Sequence, residues 1–125
     1  GARILVMDDE AMIRTLTSEI LRGNGCRVDT AESGTVAIEK YRQAFASQDP
    51  YALAILDLTI PGGMGGKEVA EKLLKLDPVA KLLVSSGYAD DPILANYPKY
   101  GFKDIITKPF TVEKLTAVVE KVVAP

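Results

Sequence analysis

Three aspartates, a serine and a lysine stand where short apolar runs end. Asp8 and Asp9 follow RILVM (3–7), and Asp57 closes YALAIL (51–56). Ser86 and Gly87 follow KLLVS (81–85), and Lys108 and Pro109 follow DIIT (104–107). Three carboxylates brought together repel one another, and a hard divalent cation relieves that repulsion. An oxygen-only donor set favours Mg2+, for which Mn2+ would substitute. Lys108 adds a mobile positive charge. Ser86 adds a hydroxyl donor, and Gly87 lets a group approach the backbone amide. Such a set would surround a phosphoryl group on Asp57. Carboxylates serve as covalent phosphoryl acceptors, and the catalysis would be mostly positioning and charge neutralisation. The sequence contains no histidine, which excludes Ser-His-Asp and Cys-His triads, histidine metal ligands and a phosphohistidine of its own.

The elements that must position these residues alternate along the chain. Five apolar runs, the four above and CRVDTA (26–31), read as strands. Amphipathic stretches separate them. Ile13, Leu16 and Ile20 share one helical face; Ala37, Tyr41 and Ala44 share another behind a Ser33 cap. Val69, Leu73 and Leu76 form a third, stopped by Asp77-Pro78, and Leu115, Val118 and Val122 form the last behind a Thr111 cap. Between the fourth and fifth strands, Asp91 caps a helix with Pro92 at its first position. Pro98 must end or kink that helix near Tyr97. Strands alternating with helices predict parallel βαβ units with right-handed crossovers. Helices on both faces explain why AIL and LLV are continuously apolar. No linker or internal repeat appears, so residues 1–125 read as one domain. In an open parallel sheet, ligands bind outside the carboxyl ends of the strands, which is where the acids, the serine and the lysine fall.

Composition excludes several classes. With 125 residues, 47% of them hydrophobic, the chain can bury a core. A net charge of −2 gives no case for a nucleic-acid or acidic-lipid surface. The lone Cys26 excludes an internal disulfide framework or a cysteine-rich zinc site and suits a reducing, cytoplasmic setting. No apolar run approaches the roughly 20 residues of a membrane span, and no signal peptide or membrane contact is expected.

At MDDE after the first strand, ILDLTIP with Asp57 four residues before Pro61, SSGY after the fourth strand and TKPF after the fifth, the sequence resembles the receiver domain of two-component response regulators. The match runs over essentially the whole chain in order and spacing. It implies a flavodoxin-like (βα)5 three-layer sandwich with strand order 2-1-3-4-5. It also implies a role for each matching residue. Asp57 would be the phosphoacceptor. Asp9 and Asp57 would ligate Mg2+ with the backbone carbonyl of Thr59, while Asp8 would act largely through water. Ser86 would be the switch hydroxyl, and Lys108 would contact the phosphoryl group, held by a cis bond to Pro109. A histidine kinase or histidine phosphotransfer domain would be the partner, with self-phosphorylation and autodephosphorylation as the isolated domain's only chemistry. The form VSSGYADDP…GFKDIITKPF is most similar to receivers at the C-terminus of hybrid sensor kinases. Three features depart from the family pattern. GGMGG after Pro61 lacks the usual acid, Ile105 replaces an aromatic residue three positions before the lysine, and Pro98 interrupts the fourth helix.

Two other functions are weighed against the phosphorylation switch. A small Mg2+-dependent phosphohydrolase would use Asp57 as a transient nucleophile, but it needs a second acid two residues on, and Thr59 stands there. A flavodoxin-like cofactor binder would need a phosphate loop after the first strand, and DDE there repels phosphate. Other residues read as structural. Glu10 reads as first-turn helix charge, Ser85 as a strand residue pointing away from Ser86, and Cys26 as a buried thiol. Thr107 is structural, Gly62–Gly66 form a turn, and Tyr88, Tyr97 and Tyr100 are packing or partner-surface residues.

Overall fold

The computed structural model describes residues 1–125. Arg3–Met7 (β1), Arg27–Ala31 (β2), Leu53–Asp57 (β3), Leu82–Ser86 (β4) and Asp104–Thr107 (β5) form one sheet in the order β2-β1-β3-β4-β5. Every adjacent pair is parallel, as the alternating pattern requires. Ala11–Gly23 (α1), Gly34–Ala46 (α2), Gly66–Leu76 (α3) and Pro92–Ala95 (α4) connect the strands, and Val112–Val123 (α5) closes the chain.

Strand residues alternate between two cores. Ile4, Val6, Leu53, Ile55, Leu83 and Ile106 pack with Leu21 of α1 and with Leu115, Val119 and Val122 of α5. Leu5, Met7, Ala54, Leu56, Leu82 and Val84 pack on the other face with Tyr41 of α2 and with Val69 and Leu73 of α3. All residues of β3 and β4 are buried. Each large apolar side chain so enclosed contributes about 1.5–3 kcal/mol of transfer free energy, so the two central strands are the most firmly placed parts of the chain. Tyr41 is anchored as well as buried: its hydroxyl donates to Asp77 Oδ2 at 2.8 Å, tying α2 to the end of α3.

Several boundaries and faces differ from the sequence reading. β3 starts at Leu53 and includes Asp57, because Asp57 pairs with Ser85 inside the ladder. β4 likewise runs one residue later than KLLVS and includes Ser86. Cys26 lies before β2 and is half-buried; its amide closes the end of α1 by donating to the Leu21 carbonyl. On α1 the buried residues are Thr17, Ser18 and Leu21, while Leu16 is exposed. Two of the three residues on its buried face are thus small and polar. On α5 Val119 takes the buried place expected of Val118. Leu76, the last residue of α3, is half-buried beside Val69 and Leu73.

Caps fall where the sequence places them. Ser33 Oγ accepts from the Val36 amide, Asp91 Oδ1 from Ile93 and Thr111 Oγ1 from Lys114. α4 is a single turn, and Pro98 lies in the 3-10 turn Tyr97–Tyr100, which ends at Gly101 with φ 89°. No helix is long and apolar enough to cross a membrane.

Candidate functional site

The carboxyl ends of β1, β3, β4 and β5 open on a pocket of about 440 Å3 whose wall includes Asp9, Asp57, Thr59, Ser86, Gly87 and Lys108. Parallel strands bring these residues together because each lies at or just beyond the end of its strand. β3 ends on Asp57, 4% exposed, and β4 ends on Ser86, 1% exposed. Asp8 is buried at the end of β1, and Asp9 beside it is exposed.

Asp8, Asp9 and Asp57 each place a carboxylate oxygen within 4.8 Å of the others. Lys108 Nζ bridges two of them, 2.7 Å from Asp8 Oδ2 and 3.4 Å from Asp57 Oδ2. Burial and the charge of Asp8 push the Asp57 carboxyl up to about 7, although Lys108 and the Thr59 amide pull the other way. Burial would lower Lys108, but its hydrogen bond to Asp8 and the charge of Asp57 outweigh it and hold the ammonium above its ordinary value. Two buried acids and an exposed third, all offering oxygen and undercompensated by one lysine, form a donor set that fits a hard divalent cation.

The remaining site residues have specific placements. Thr59 donates its amide to Asp57 Oδ1 at 3.4 Å. Ser86 Oγ accepts from the Tyr88 amide at 3.0 Å, so it is held by the loop after β4 and not by Asp57. Gly87 has open space where a side chain would stand. The Lys108–Pro109 peptide is cis. Ser85, paired with Asp57 in the ladder, is buried and absent from the pocket wall. Thr107 ends β5, exposed and outside that wall. Glu10 is not in the first turn: it occupies the N-cap position of α1 without a side-chain cap bond and lines the pocket mouth.

Two contacts of the site are not foreseen in the sequence reading. The first is a hydrogen bond from Arg14 Nη1 to the Asp8 carbonyl at 2.8 Å. The second is the close fit of Gly65 and Gly66 behind Asp57. A Cβ on Gly66 would lie 2.9 Å from the Asp57 carbonyl oxygen, and one on Gly65 would lie 2.2 Å from that of Leu58. The signal for the second was present in the glycine run itself, which read only as a turn. Tyr88 stands at the pocket mouth, 65% exposed.

The chemotaxis protein CheY of Thermotoga maritima is 31% identical to this chain over 98% of each. That of Bacillus subtilis is 32% identical over 95% of each. Among solved structures, the response regulator TrrA of Thermotoga maritima, in complex with Mg2+-BeF, is 34% identical, with 98% of this chain and 99% of that one covered and a TM-score of 0.82. A CheY-like receiver domain from Methanospirillum hungatei is 28% identical, with 98% and 93% covered and a TM-score of 0.85. A family model described as the response regulator receiver domain matches residues 4–120. Sheet order, pocket and sequence agree, and the chain belongs to the response regulator receiver domain family.

Proposed function

We propose that Asp57 accepts a phosphoryl group from a partner phosphohistidine and that the chain then signals through a shift of the β4–α4 region. The observation that carries this reading is the position of Asp57: a buried carboxylate at the end of β3, open to a pocket shared with Asp9, Ser86 and Lys108. In the transfer, the donor's P–N bond breaks as an O–P bond forms on an Asp57 carboxylate oxygen. Lys108 Nζ, already 3.4 Å from Asp57 Oδ2, moves from carboxylate to phosphoryl oxygen without leaving the pocket. Ser86 gives up its hydrogen bond with Tyr88 and turns its hydroxyl to the phosphoryl group. That exchange alters the loop leading to α4, biasing a two-state equilibrium that a partner reads.

Asp9 and Asp57, with the Thr59 carbonyl, would hold Mg2+, and Asp8 would act through water. The cation would neutralise charge on the phosphoryl oxygens. That TrrA, 34% identical, was solved in complex with Mg2+-BeF supports Mg2+ as the cation. The partner is a histidine kinase or a phosphotransfer domain, since the chain has no histidine of its own. Met12 on α1 is 83% exposed, next to Ile13 of the pocket wall, which suits an apolar contact with the donor. Nothing in the site favours the phosphohydrolase, because Thr59 stands where its second acid is needed. The test is Mg2+-dependent uptake of phosphate from acetyl phosphate. Wild-type protein should label and Asp57→Asn should not; equal labelling of both overturns the reading.

A further inference from the structure

Asp8 is held at every polar atom. Its amide donates to the Ala31 carbonyl at 3.0 Å. Oδ1 accepts from the Glu10 amide at 2.9 Å, and Oδ2 accepts from Lys108 Nζ at 2.7 Å. The fourth bond, to its carbonyl oxygen, comes from a side chain outside the pocket wall: Arg14 Nη1 at 2.8 Å. The Asp8 carbonyl and the Asp9 N–H belong to one planar peptide unit. A donor fixed on that carbonyl therefore also fixes the direction in which the chain leaves toward Asp9. Residues Asp8–Glu10 lie between β1 and α1 without regular structure. Asp9 is exposed, so packing does little to hold it there.

Arg14 is suited to this task. Its own amide donates to the Glu10 carbonyl at 3.1 Å, so its backbone is already in the first turn of α1. The guanidinium makes no ion pair, and it borders a small polar cavity of about 200 Å3 with Ser18, Arg22 and Thr30. The Asp8 carbonyl is its fixed contact. The planar fork reaches a carbonyl with a directed N–H that a lysine ammonium reproduces less well.

We infer that Arg14 is a positioning residue for the acid pocket: by pinning the Asp8–Asp9 peptide it sets where Asp9 stands relative to Asp57, and so sets the affinity for a divalent cation. The inference rests on the proposed cation site. Groups that orient metal ligands typically change metal affinity by about 10-fold or more when removed. Arg22 supplies a matched control, because its Nη2 donates to the Val28 carbonyl at 2.9 Å, a helix-to-backbone anchor of the same kind away from the acids.

The experiment is calorimetric titration of the metal-free protein with Mg2+, with thermal unfolding in EDTA measured in parallel. Arg14→Met should bind Mg2+ about 10-fold more weakly than wild type. Arg14→Lys should recover part of the loss, and Arg22→Met should bind as wild type does. If Arg14→Met binds Mg2+ like wild type, the inference is overturned. It is also overturned if Arg22→Met loses as much affinity, because then any loosening of α1 would suffice. Wild-type protein that binds no Mg2+ removes the cation site itself and this inference with it. Wild-type binding with an unchanged Arg14→Met removes the inference alone.

Discussion

Lys108 Nζ sits between Asp8 and Asp57, 2.7 Å from one carboxylate and 3.4 Å from the other. One cation from the end of β5 thus faces two buried acids from β1 and β3. The arrangement keeps the pocket folded without a metal while leaving a negative excess for one to occupy. The two distances also differ in meaning. The shorter is a charge-assisted hydrogen bond that locates the lysine. The longer is a looser contact that the lysine can exchange for a phosphoryl oxygen.

Removing that lysine should therefore be costly when no metal is present. Lys108→Ala leaves Asp8 and Asp57, 2% and 4% exposed, facing each other without a counter-charge. Breaking a buried pair in this way costs on the order of 3 kcal/mol. Urea unfolding in EDTA should show that loss, and Mg2+ should restore much of it. Equal stability of Lys108→Ala and wild type in EDTA would mean that the bridge carries little of the pocket's balance.

Asp57 gives the pH dependence. Its carboxyl is raised from 3.8 to about 7 by burial and by Asp8. The folded state then binds more protons than the unfolded state between those values. Stability of the metal-free protein falls as pH rises through that window and stays low above it. Asp57→Asn removes the ionisation and should raise the melting temperature in EDTA at mildly alkaline pH. Each tenfold difference in proton affinity between the folded and unfolded chain corresponds to about 1.4 kcal/mol. Near the acid end of the window the two proteins should converge. Melting curves across pH check this, and an Asn variant no more stable at alkaline pH would contradict the buried, like-charge environment.

The glycine run offers a ranking within one loop. A Cβ on Gly65 would stand 2.2 Å from the Leu58 carbonyl oxygen, and one on Gly66 would stand 2.9 Å from that of Asp57. Gly62 has open space but φ 74°, and Gly63 has its nearest neighbour 4.0 Å away. Alanine at Gly65 should be the most damaging, by about 2–3 kcal/mol, because backbone must move. Gly66→Ala follows. Gly62→Ala costs about 1 kcal/mol through strain, and Gly63→Ala is close to neutral. Chemical denaturation of the four variants tests the order, and a uniform small effect would show that α3 does not need to lie so close behind Asp57.

How far the sequence carries the fold is clearest at β3 and β4. Their continuous apolar runs announce burial on both faces, and residues at strand ends in a parallel sheet can only converge on one edge. Asp8, Asp9, Asp57, Ser86 and Lys108 follow from that rule alone. Where the reading falls short, the missing information is three-dimensional. On α1 periodicity marks Ile13, Leu16 and Ile20; Ile13 is half-buried and Ile20 packs against the core, but Leu16 is exposed and the fully buried residues are Thr17, Ser18 and Leu21. The rotation of the helix about its axis, by which Leu21 and not Leu16 enters the core, is set by tertiary packing. Arg14 could not be placed because a side chain bonded to a main-chain carbonyl leaves no pattern in residue types. Asp57 itself is more enclosed than a residue placed after the run YALAIL would be, because it ends inside the ladder opposite Ser85.

Asp9 separates the metal reading from a purely structural acid cluster. It is exposed while Asp8 and Asp57 are buried, so its own removal should disturb packing little. It nonetheless places an oxygen within 4.8 Å of both. A ligand that binds only the folded state stabilises it by RT ln(1 + [L]/Kd), about 2.7 kcal/mol at a hundredfold excess over Kd. Mg2+ should therefore raise the melting temperature of wild-type protein in a concentration-dependent way. Asp9→Ala should melt near wild type in EDTA, or slightly higher because one repulsive charge is gone, and should gain little from Mg2+. Thermal shift across a Mg2+ series measures both effects in one experiment. An Asp9→Ala protein that gains as much from Mg2+ as wild type would place the cation elsewhere. The three-carboxylate cluster would then be left with Lys108 as its sole source of positive charge.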